Sequence, residues 1–329
     1  MSRSSHHMQY DILADWNLNT SCNFNCLYCC IDTRQRNIHG SNDIQKIVSS
    51  FNSFGKIWLI HMSGGEPFLH PYFINLCKGL TDKNFISINT NLSSNLVYDF
   101  CQAIDPARVS FVHCSLHISE REKKGLVDDF IEKVKLLDNS GFKVYVTQVM
   151  VPPIIQRFHE IFAFFKRKGI LIRPKNLKHR YRFQEYPQSY TKEEKEIILH
   201  FIDLIAEEDR HSGISLGHID PDIDRLWIDG YASFRGLPCA AGKEFVFINV
   251  EGNIRRCNSD QKILGNIHLG RMELFEVDMP CRTKICICPY YGFTFSKGQA
   301  KTVHLKDRIK YLRRSASFVQ RFITGEKYE

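Results

Sequence analysis

The sequence has no apolar run of the roughly 20 residues that a membrane-spanning helix needs. Its first residues, 1–8, lack the apolar centre of a secretory signal peptide. These two absences argue against a membrane protein and against a secreted one. We therefore expect a cytoplasmic protein that has no membrane partner.

Basic runs interleaved with aromatic residues, a pattern typical of nucleic-acid-binding surfaces, are also missing. The formal net charge of +8 is modest, and part of it comes from the basic stretch 301–321, which we interpret as a helix with a solvated face. A zinc-containing RNA-binding module would also combine positive charge with clustered cysteines. We do not expect a nucleic-acid partner, because such a module would leave the motifs described below unexplained.

Cysteine is abundant, with 12 in the chain. Cytoplasmic thiols stay reduced, so this number indicates metal ligands in preference to disulfides. Eight of the cysteines form two groups, one near each end of the chain. The other four fall within or beside predicted helices and strands, and we expect them to be small buried residues: Cys30, Cys77, Cys101 and Cys114.

The first group is Cys22, Cys26 and Cys29, spaced as CxxxCxxC in a loop after a predicted strand. Three thiolates in so short a loop can converge on one metal centre. A closed structural zinc site needs four ligands, whereas a four-iron, four-sulfur (4Fe-4S) cluster held by three cysteines keeps one iron free for a small molecule. The spacing favours the cluster, and half of a zinc site closed by a distant ligand is the alternative.

A second motif, Gly64-Gly65-Glu66-Pro67, ends the next predicted strand. Glycines let the backbone approach a ligand closely, and a carboxylate beside exposed amides can bind an ammonium group. A Gly-Gly turn after a strand is common by itself. Its position about 40 residues after the cysteine motif, with both motifs at strand ends, makes the pair specific.

Short apolar strands and amphipathic helices alternate through the first half of the chain, which predicts an α/β fold with a partial (β/α)6 TIM-like barrel. Functional groups in such barrels cluster at the carboxyl ends of the strands. The predicted strands are 11–19, 56–62, 85–89, 108–117, 143–149 and 170–174. The predicted helices are 43–54, 71–80, 94–103, 124–140 and 155–167, with a further helix at 197–208.

The cysteine motif with Tyr28 before its third cysteine, followed by the GGEP turn, resembles the radical S-adenosylmethionine (SAM) enzymes. The resemblance implies that Cys22, Cys26 and Cys29 bind three irons of a 4Fe-4S cluster, whose fourth iron chelates the methionine part of SAM. It also implies that Glu66 holds the amino group of SAM. The cofactor-binding residues implied in this way are Tyr28, Gly64, Gly65, Glu66, Pro67, Asn91, Ser115, His117, Gln148 and Arg173. The alternative for His117 is a core histidine whose hydrogen bonds are made within the protein, and the alternative for Arg173 is a residue that caps the barrel. No catalytic residue is assigned.

The second cysteine group begins with Cys239 and Cys257, which flank a predicted β-hairpin whose turn contains Gly252. The spacing from Cys239 to Gly252 to Cys257 resembles the opening of the SPASM and twitch domains of radical SAM enzymes. Five cysteines fit the shorter twitch form, with one auxiliary 4Fe-4S cluster held by Cys239, Cys257 and two of the remaining three. A zinc ribbon is the rival interpretation. The remaining three cysteines are Cys281, Cys286 and Cys288.

The resemblance implies an oxidoreductase-type activity: reductive cleavage of SAM to a 5′-deoxyadenosyl radical, which abstracts a hydrogen atom from a substrate carbon. A flavodoxin or ferredoxin is the implied electron donor. The wider family favours a peptide substrate, modified by oxidation, cross-linking or epimerisation, and this is our expectation. A sugar or aminocyclitol is the alternative, because the short stretch before Asp11 leaves little room for a leader-peptide domain. A spare cysteine of the second group could be structural or could donate hydrogen to the substrate radical.

These patterns predict five segments. Residues 1–10 form a mobile N-terminus, 11–176 the radical SAM partial barrel and 177–230 a connecting helical segment. Residues 231–300 form a small β-hairpin/helix domain of twitch or SPASM type, and 301–329 form the basic C-terminal helix. Within the connection, four side chains are candidate substrate contacts or parts of a solvated loop: Arg180, Tyr181, Arg182 and Tyr186.

Overall fold

The computed structural model describes residues 8–31, 42–212, 223–229, 235–283 and 286. The basic stretch 301–329 and most of the N-terminal segment 1–10 lie outside these ranges, and so does Cys288.

Six parallel strands form the centre of the molecule and confirm the predicted α/β fold of partial-barrel type. Strands that follow one another along the chain are also neighbours in the sheet, so the connections are βα units. Their carboxyl ends therefore lie at one edge of the sheet. The bounds are β1 Ile12–Asn19, β2 Trp58–Gly64, β3 Phe85–Thr90, β4 Val109–Ser115, β5 Val144–Met150 and β6 Ile172–Asn176.

The helices pack their apolar faces against this sheet. In α1, Phe51 is completely buried, and its ring lies 5.8 Å from the Trp16 ring of β1 and 5.3 Å from the Trp58 ring of β2. Within the described ranges, no helix combines the length and the apolar character needed to cross a bilayer. The bounds are α1 Ile44–Ser53, α2 Phe73–Thr81, α3 Leu96–Ala103, α4 Ile118–Lys124, α5 Val127–Asn139, α6 Pro152–Ile155, α7 Phe158–Arg167, α8 Lys192–Ser212 and α9 Ile223–Leu226.

Two boundary predictions around β4 were wrong. The strand ends at Ser115, and His117, with a φ of 47°, is the N-cap of the additional helix α4. That helix ends at Lys124, and its C-cap Gly125 has a φ of 64°, in the left-handed region that glycine adopts readily. The predicted helix 124–140 therefore begins only at Val127. The extra helix is important because it contacts the cysteine loop.

The predicted C-terminal hairpin is present, and it extends the central sheet. In the hairpin, β10 pairs antiparallel with β11, with Phe247 opposite Arg255. On its other side β10 pairs in parallel with β1, with Leu13 opposite Phe245. This pairing satisfies the edge of β1, which a six-stranded sheet would leave open. The bounds are β10 Phe245–Ile248, β11 Asn253–Arg255, β12 Ile263–Asn266 and β13 Arg271–Met272.

The connection after β6 contains a small hairpin, β7 His179–Tyr181 and β8 Gln184–Tyr186. Tyr181 and Tyr186 are buried, so these two candidate substrate contacts pack in the core. A capping box precedes α8. The Thr191 N–H donates to the Glu194 carboxylate at 2.9 Å, and the Glu194 N–H donates to Thr191 Oγ1 at 3.2 Å.

Candidate functional site

A cavity of about 400 Å³ lies at the carboxyl ends of the parallel strands, a size that suits a small-molecule ligand. The cysteine loop, residues 20–31, supplies part of its wall. The predicted site residues that line it are Cys22, Cys26, Tyr28, Cys29, Gly64, Gly65, Asn91, Ser115, His117 and Arg173. Three others are buried beside the cavity without lining it: Glu66, Pro67 and Gln148. The fold thus brings the two sequence motifs to one place.

The Gly-Gly turn, residues 63–67, is hydrogen-bonded to the start of the cysteine loop. The Gly65 N–H donates to the Asn19 carbonyl at 2.8 Å, and the Glu66 N–H donates to the Ser21 carbonyl at 2.6 Å. A Cβ at Gly65 would overlap the carbonyl group of Ser21. The contact therefore requires glycine.

We expect Gly65→Ala to lower the free energy of unfolding by about 2–4 kcal/mol, because the new methyl group forces the Ser21 backbone away and breaks both hydrogen bonds. Urea unfolding measures this loss. Gly55→Ala is the matched control, since its Cβ meets nothing within 4 Å and it is strained only by its φ of 61°. That control is expected to lose about 1–2 kcal/mol. Equal losses in the two variants would contradict the close contact.

Helix α4 holds the cysteine loop through Arg121, which is completely buried. Arg121 Nε donates to the Leu116 carbonyl at 2.6 Å, and its terminal nitrogen donates to the Asn91 carbonyl. The guanidinium lies 5.3 Å from the centre of the Phe24 ring and 4.0 Å from that of Phe130. This one side chain therefore joins the cysteine loop, β4 and the segment after β3.

The neighbouring Glu120 adds a second attachment. Its carboxylate accepts a hydrogen bond from the Asn25 N–H at 3.0 Å and pairs with Lys123 at 3.1 Å. Sequence patterns missed both Glu120 and Arg121, since they fell between the predicted strand 108–117 and the predicted helix 124–140. Their contacts in the cysteine loop, Asn25 and Phe24, lie about 95 residues away along the chain and are brought to them only by the fold.

His117 and Tyr28 form a third attachment. The Tyr28 hydroxyl and His117 Nδ1 are 2.8 Å apart, and the rings stack. Burial, assisted by the Arg121 cation, lowers the pKa of His117 to about 3. The imidazole is therefore neutral and can accept a hydrogen bond from the Tyr28 hydroxyl. Gln148 supports the turn after His117, because its Oε1 accepts from the Ile118 N–H at 3.0 Å.

Asn91 connects the Gly-Gly turn to the cysteines. Its Nδ2 donates to Asn23 Oδ1 at 3.0 Å and lies 3.7 Å from Cys22 Sγ. Its backbone N–H donates to Glu66 Oε2 at 2.6 Å. A polar side chain predicted to contact SAM therefore also orders the protein around Cys22.

Glu66 is completely buried, and its carboxylate is engaged by the protein. Oε1 accepts from Thr90 Oγ1 at 2.6 Å and from the Phe68 N–H at 3.1 Å, and Oε2 accepts from the Asn91 N–H. Burial raises the pKa of Glu66 to about 7, and these three donors act in the opposite direction. To bind an ammonium group directly, the carboxylate would have to leave these donors. That Glu66 contacts SAM stays a prediction. The hydrogen bonds by which Glu66 links the end of β2 to the end of β3 are observed.

The cysteine thiols have surroundings that fit an iron–sulfur cluster. Burial raises the pKa of Cys22 and raises that of Cys26 to about 12, so the free thiols stay protonated. A bound metal would supply the positive charge that stabilises the thiolates. Cys22 Sγ accepts from the Phe24 N–H at 3.5 Å. In the described part of the chain, no three His, Cys, Asp or Glu side chains converge closely enough to hold a single ion. A cluster in which each cysteine binds a different iron does not require such convergence.

Ser115 and Arg173 line the cavity and already have protein partners. Ser115 Oγ donates to Asn89 Oδ1 at 3.0 Å. The Arg173 guanidinium forms a bidentate ion pair with Asp209 of α8, with distances of 2.5 and 2.7 Å. A ligand anion at Arg173 would therefore meet a guanidinium that is already neutralised.

Sequence patterns also missed a set of polar residues within the barrel. His61 of β2 and His113 of β4 line the cavity, and each has a hydroxyl partner, Ser87 at 2.8 Å and Thr147 at 2.7 Å respectively. Asp15 of β1 lines it as well. Alternation along β1 would have placed Asp15 on the face opposite Ala14 and Trp16, but alternation does not say that this face borders a cavity.

The unfolding free energy of the protein is expected to depend on pH through Asp15. Burial raises the pKa of Asp15 from 3.8 to about 7, and the Lys175 cation partly opposes this. The folded state therefore binds more protons than the unfolded state between these values, and stability falls as the pH rises through that window. The fall is at most about 1.4 kcal/mol per pH unit.

Urea unfolding of wild type and of Asp15→Asn across pH about 5 to 8 isolates this contribution. The stability difference between the two proteins is expected to grow in favour of the variant as pH rises. A difference that stays constant with pH would contradict the raised pKa.

Cys239 of the second cysteine group lies near two other members, Cys281 and Cys257. Strand β9, Pro238–Cys239, pairs antiparallel with β14, Met279–Pro280, and the Cys281 N–H donates to the Leu237 carbonyl at 2.8 Å. Cys257 is close enough to Cys239 for their charges to interact. Burial raises the pKa of the Cys257 thiol, while hydrogen bonds from the N–H groups of Ser259 and Asp260 lower it.

The other cysteines divide between buried and exposed positions. Cys286 is buried, whereas Cys288 lies outside the described residues. Cys77 and Cys114 are buried, as predicted. The prediction was wrong for Cys30, which is exposed on the cysteine loop and lines the cavity, because no helix or strand covers the loop there.

Comparison with known proteins gives the family of this site. The model of the Radical SAM superfamily matches residues 16–165, which contain the cysteine loop and the strand ends around the cavity. A "Probable GTP 3′,8-cyclase" of Methanothermobacter thermautotrophicus is 26% identical over 161 residues, covering 46% of this chain and 52% of the relative. One of Methanococcus maripaludis is 30% identical over 136 residues, covering 40% and 45%. The chain thus spans about half the length of the curated relatives it matches.

Solved structures show the same fold over a longer part of the chain. Native anSMEcpe with bound AdoMet and Cp18Cys peptide has a TM-score of 0.54 at 14% identity, covering 78% of this chain and 77% of that one. SuiB of Streptococcus suis bound to S-adenosylmethionine has a TM-score of 0.53 at 14% identity, covering 79% and 64%. The solved structures share the fold, and the family model assigns residues 16–165 to a radical SAM superfamily domain.

Proposed function

We propose that this chain uses its radical SAM domain to cleave SAM reductively and to abstract a hydrogen atom from a carbon of a peptide substrate. One observation carries the proposal: a single cavity is lined by Cys22, Cys26 and Cys29 and also by the Gly64-Gly65 strand end. The cysteines supply one ligand for each of three irons, and the glycines let a small ligand approach the backbone.

The residues of this chain have distinct parts in the proposed reaction. When bound, the 4Fe-4S cluster and SAM supply an electron and a 5′-deoxyadenosyl radical, respectively. Cys22, Cys26 and Cys29 would hold the cluster, and Asn91 and Ser115 offer hydrogen bonds to SAM from the strand ends. Arg121, Glu120 and His117 fix the loop that carries the cysteines. Orientation and exclusion of water are therefore the tasks of the protein.

The support for a peptide substrate comes from the fold. Structural neighbours include SuiB bound to its precursor peptide SuiA, at a TM-score of 0.53. The charges that line the cavity argue against a nucleoside triphosphate, the class of substrate that the names of the cyclase relatives indicate. Three basic side chains are accompanied by three carboxylates, so the cavity lacks the positive excess that a triphosphate needs. The charged lining residues are Asp15, Arg173, Lys175, Lys178, Asp209 and Asp224.

We infer that the second cysteine group holds an auxiliary 4Fe-4S cluster. The proximity of Cys239 and Cys257 supports this, and so do the N–H groups of Ser259 and Asp260 that point at the Cys257 sulfur. Two of Cys281, Cys286 and Cys288 would complete the ligands, and zinc is the rival metal. A flavodoxin or ferredoxin is the proposed electron donor.

Cys257→Ala is expected to remove metal from this second site and to spare SAM cleavage in the absence of substrate, because Cys257 is not among the residues that line the cavity. Iron content should fall by about four per chain, while 5′-deoxyadenosine still forms with dithionite and SAM. Loss of zinc with unchanged iron would assign the site to zinc. Unchanged content of both metals would contradict a metal site at Cys257.

The proposed function is tested by iron and sulfide analysis of anaerobically reconstituted protein, followed by product analysis with dithionite and SAM. About eight irons per chain, with 5′-deoxyadenosine as a product, are expected for two clusters. About four irons with the same product would leave the first site intact and remove the auxiliary cluster. Zinc alone, without cleavage of SAM, would overturn the proposed function.

A further inference from the structure

One carboxylate in the cavity has no function in the scheme above. Asp15 lies in the middle of β1, where its register partner on β2 is His61. Strands buried in a parallel sheet are usually apolar throughout, and a charge placed there is costly unless it is paired. Nearer the carboxyl end of β1, Asn17 is satisfied by Ser63, whose Oγ donates to Asn17 Oδ1 at 3.0 Å.

The charged groups around the cavity are mostly accounted for. Arg173 is paired with Asp209, and Asp224 accepts a hydrogen bond from the Asn176 N–H at 2.9 Å. Lys178 lies 3.8 Å from the centre of the Trp227 ring. Among the described residues, the remaining two, Asp15 and Lys175, make neither an ion pair nor a side-chain hydrogen bond.

Lys175 and Asp15 do not satisfy one another. Lys175 is near enough to lower the pKa of Asp15, but the two groups are not within ion-pair distance. The same ammonium also acts on Cys30 and His117, which belong to the part of the cavity nearest the cysteine loop. Lys175 lines the same cavity as Cys22, Cys26 and Cys29, and Asp15 has no side-chain partner in the described part of the chain.

We propose that Asp15 binds a cationic group of the substrate, an ammonium or a guanidinium. The inference rests on the proposed function and narrows its substrate class to one that carries positive charge. Asp15 is a half-buried, cavity-lining carboxylate that no described side chain pairs with, so it gains most from a ligand that brings the opposite charge, and it repels a phosphate or a carboxylate. His61 and His113 are each engaged by a hydroxyl group, so Asp15 is the carboxyl group of this wall that is available to a ligand.

Matched pairs of probes test this proposal on reconstituted protein saturated with SAM. The peptide pair is acetyl-Gly-Lys-Gly-amide and the same peptide with norleucine in place of lysine. The sugar pair is glucosamine and glucose, and GTP is the anionic probe. Calorimetry gives the dissociation constants for wild type, for Asp15→Asn and for the control Asp99→Asn, which changes an exposed carboxylate of α3.

In wild type, at least one cationic probe is expected to bind about 10- to 100-fold more tightly than its neutral match. Asp15→Asn should abolish that preference, and Asp99→Asn should retain it. Any of four results would overturn the proposal. In wild type, these are equal affinities within both pairs, no binding of either cationic probe, or tighter binding of GTP than of the cationic probes. The fourth is a preference for the cationic probe that survives in Asp15→Asn.

Formation of 5′-deoxyadenosine by the same preparations separates this inference from the proposed function. SAM cleavage without a charge preference would remove only the role of Asp15. Absence of both iron and cleavage would remove the proposed function itself.

Discussion

Cys26→Ala abolishes SAM cleavage if the cysteine loop holds the cluster as proposed. The cluster needs one thiolate for each of three irons, and loss of the central ligand leaves two. Cys26 lines the cavity together with Cys22 and Cys29, and both neighbours are close enough to raise its pKa. Iron should fall by about four per chain, and 5′-deoxyadenosine should fall to the level without enzyme.

The matched control is Cys101→Ser, which changes a partly buried cysteine of α3 that does not line the cavity. It should retain both iron and cleavage. Anaerobic reconstitution, iron analysis and product chromatography make the measurement on both variants. Cleavage at the wild-type rate in Cys26→Ala would remove the central claim about this site.

Arg121→Met is expected to cost about 3–5 kcal/mol of unfolding free energy and to weaken the cluster site. Methionine fills part of the space between Phe24 and Phe130 but leaves the carbonyls of Leu116 and Asn91 without their donor. It also removes the cation that lies near the buried carboxylate of Glu66.

The effect of this variant should reach the metal, because Arg121 holds the loop that carries the cysteines. We expect iron to be lost to a chelator at least about tenfold faster than from wild type, as found when support of metal ligands is removed. Lys124→Gln, an exposed change on the same helix, should alter stability by about 0.5 kcal/mol or less. Equal iron loss from the two variants would show that Arg121 does not position the loop.

The sequence predicted the parts of this fold that depend on local pattern. The six parallel strands, their order and the helices between them followed from short apolar runs alternating with amphipathic segments. The β10–β11 hairpin was predicted because its two strands lie close along the chain. Both cofactor motifs were found in the same way, since each is a short run of residues.

Where the sequence failed, the deciding contacts were distant along the chain. Helix α4 was missed because Gly125 divides an otherwise continuous helical pattern, and its contacts lie in the loop between β1 and α1. The pairing of β10 with β1 joins segments that are more than 200 residues apart, so no local pattern announces it.

The sequence by itself determined the class of fold and the chemistry that Cys22, Cys26, Cys29 and the Gly-Gly turn can support, because ligand type and spacing are properties of a few consecutive residues. Only the tertiary structure decided which polar groups are already satisfied. It gave Glu66 three protein donors, and among the described residues it left Asp15 without a side-chain partner. Burial and hydrogen bonding are set by the neighbours that the whole fold assembles, and these are not encoded in any one stretch of the chain.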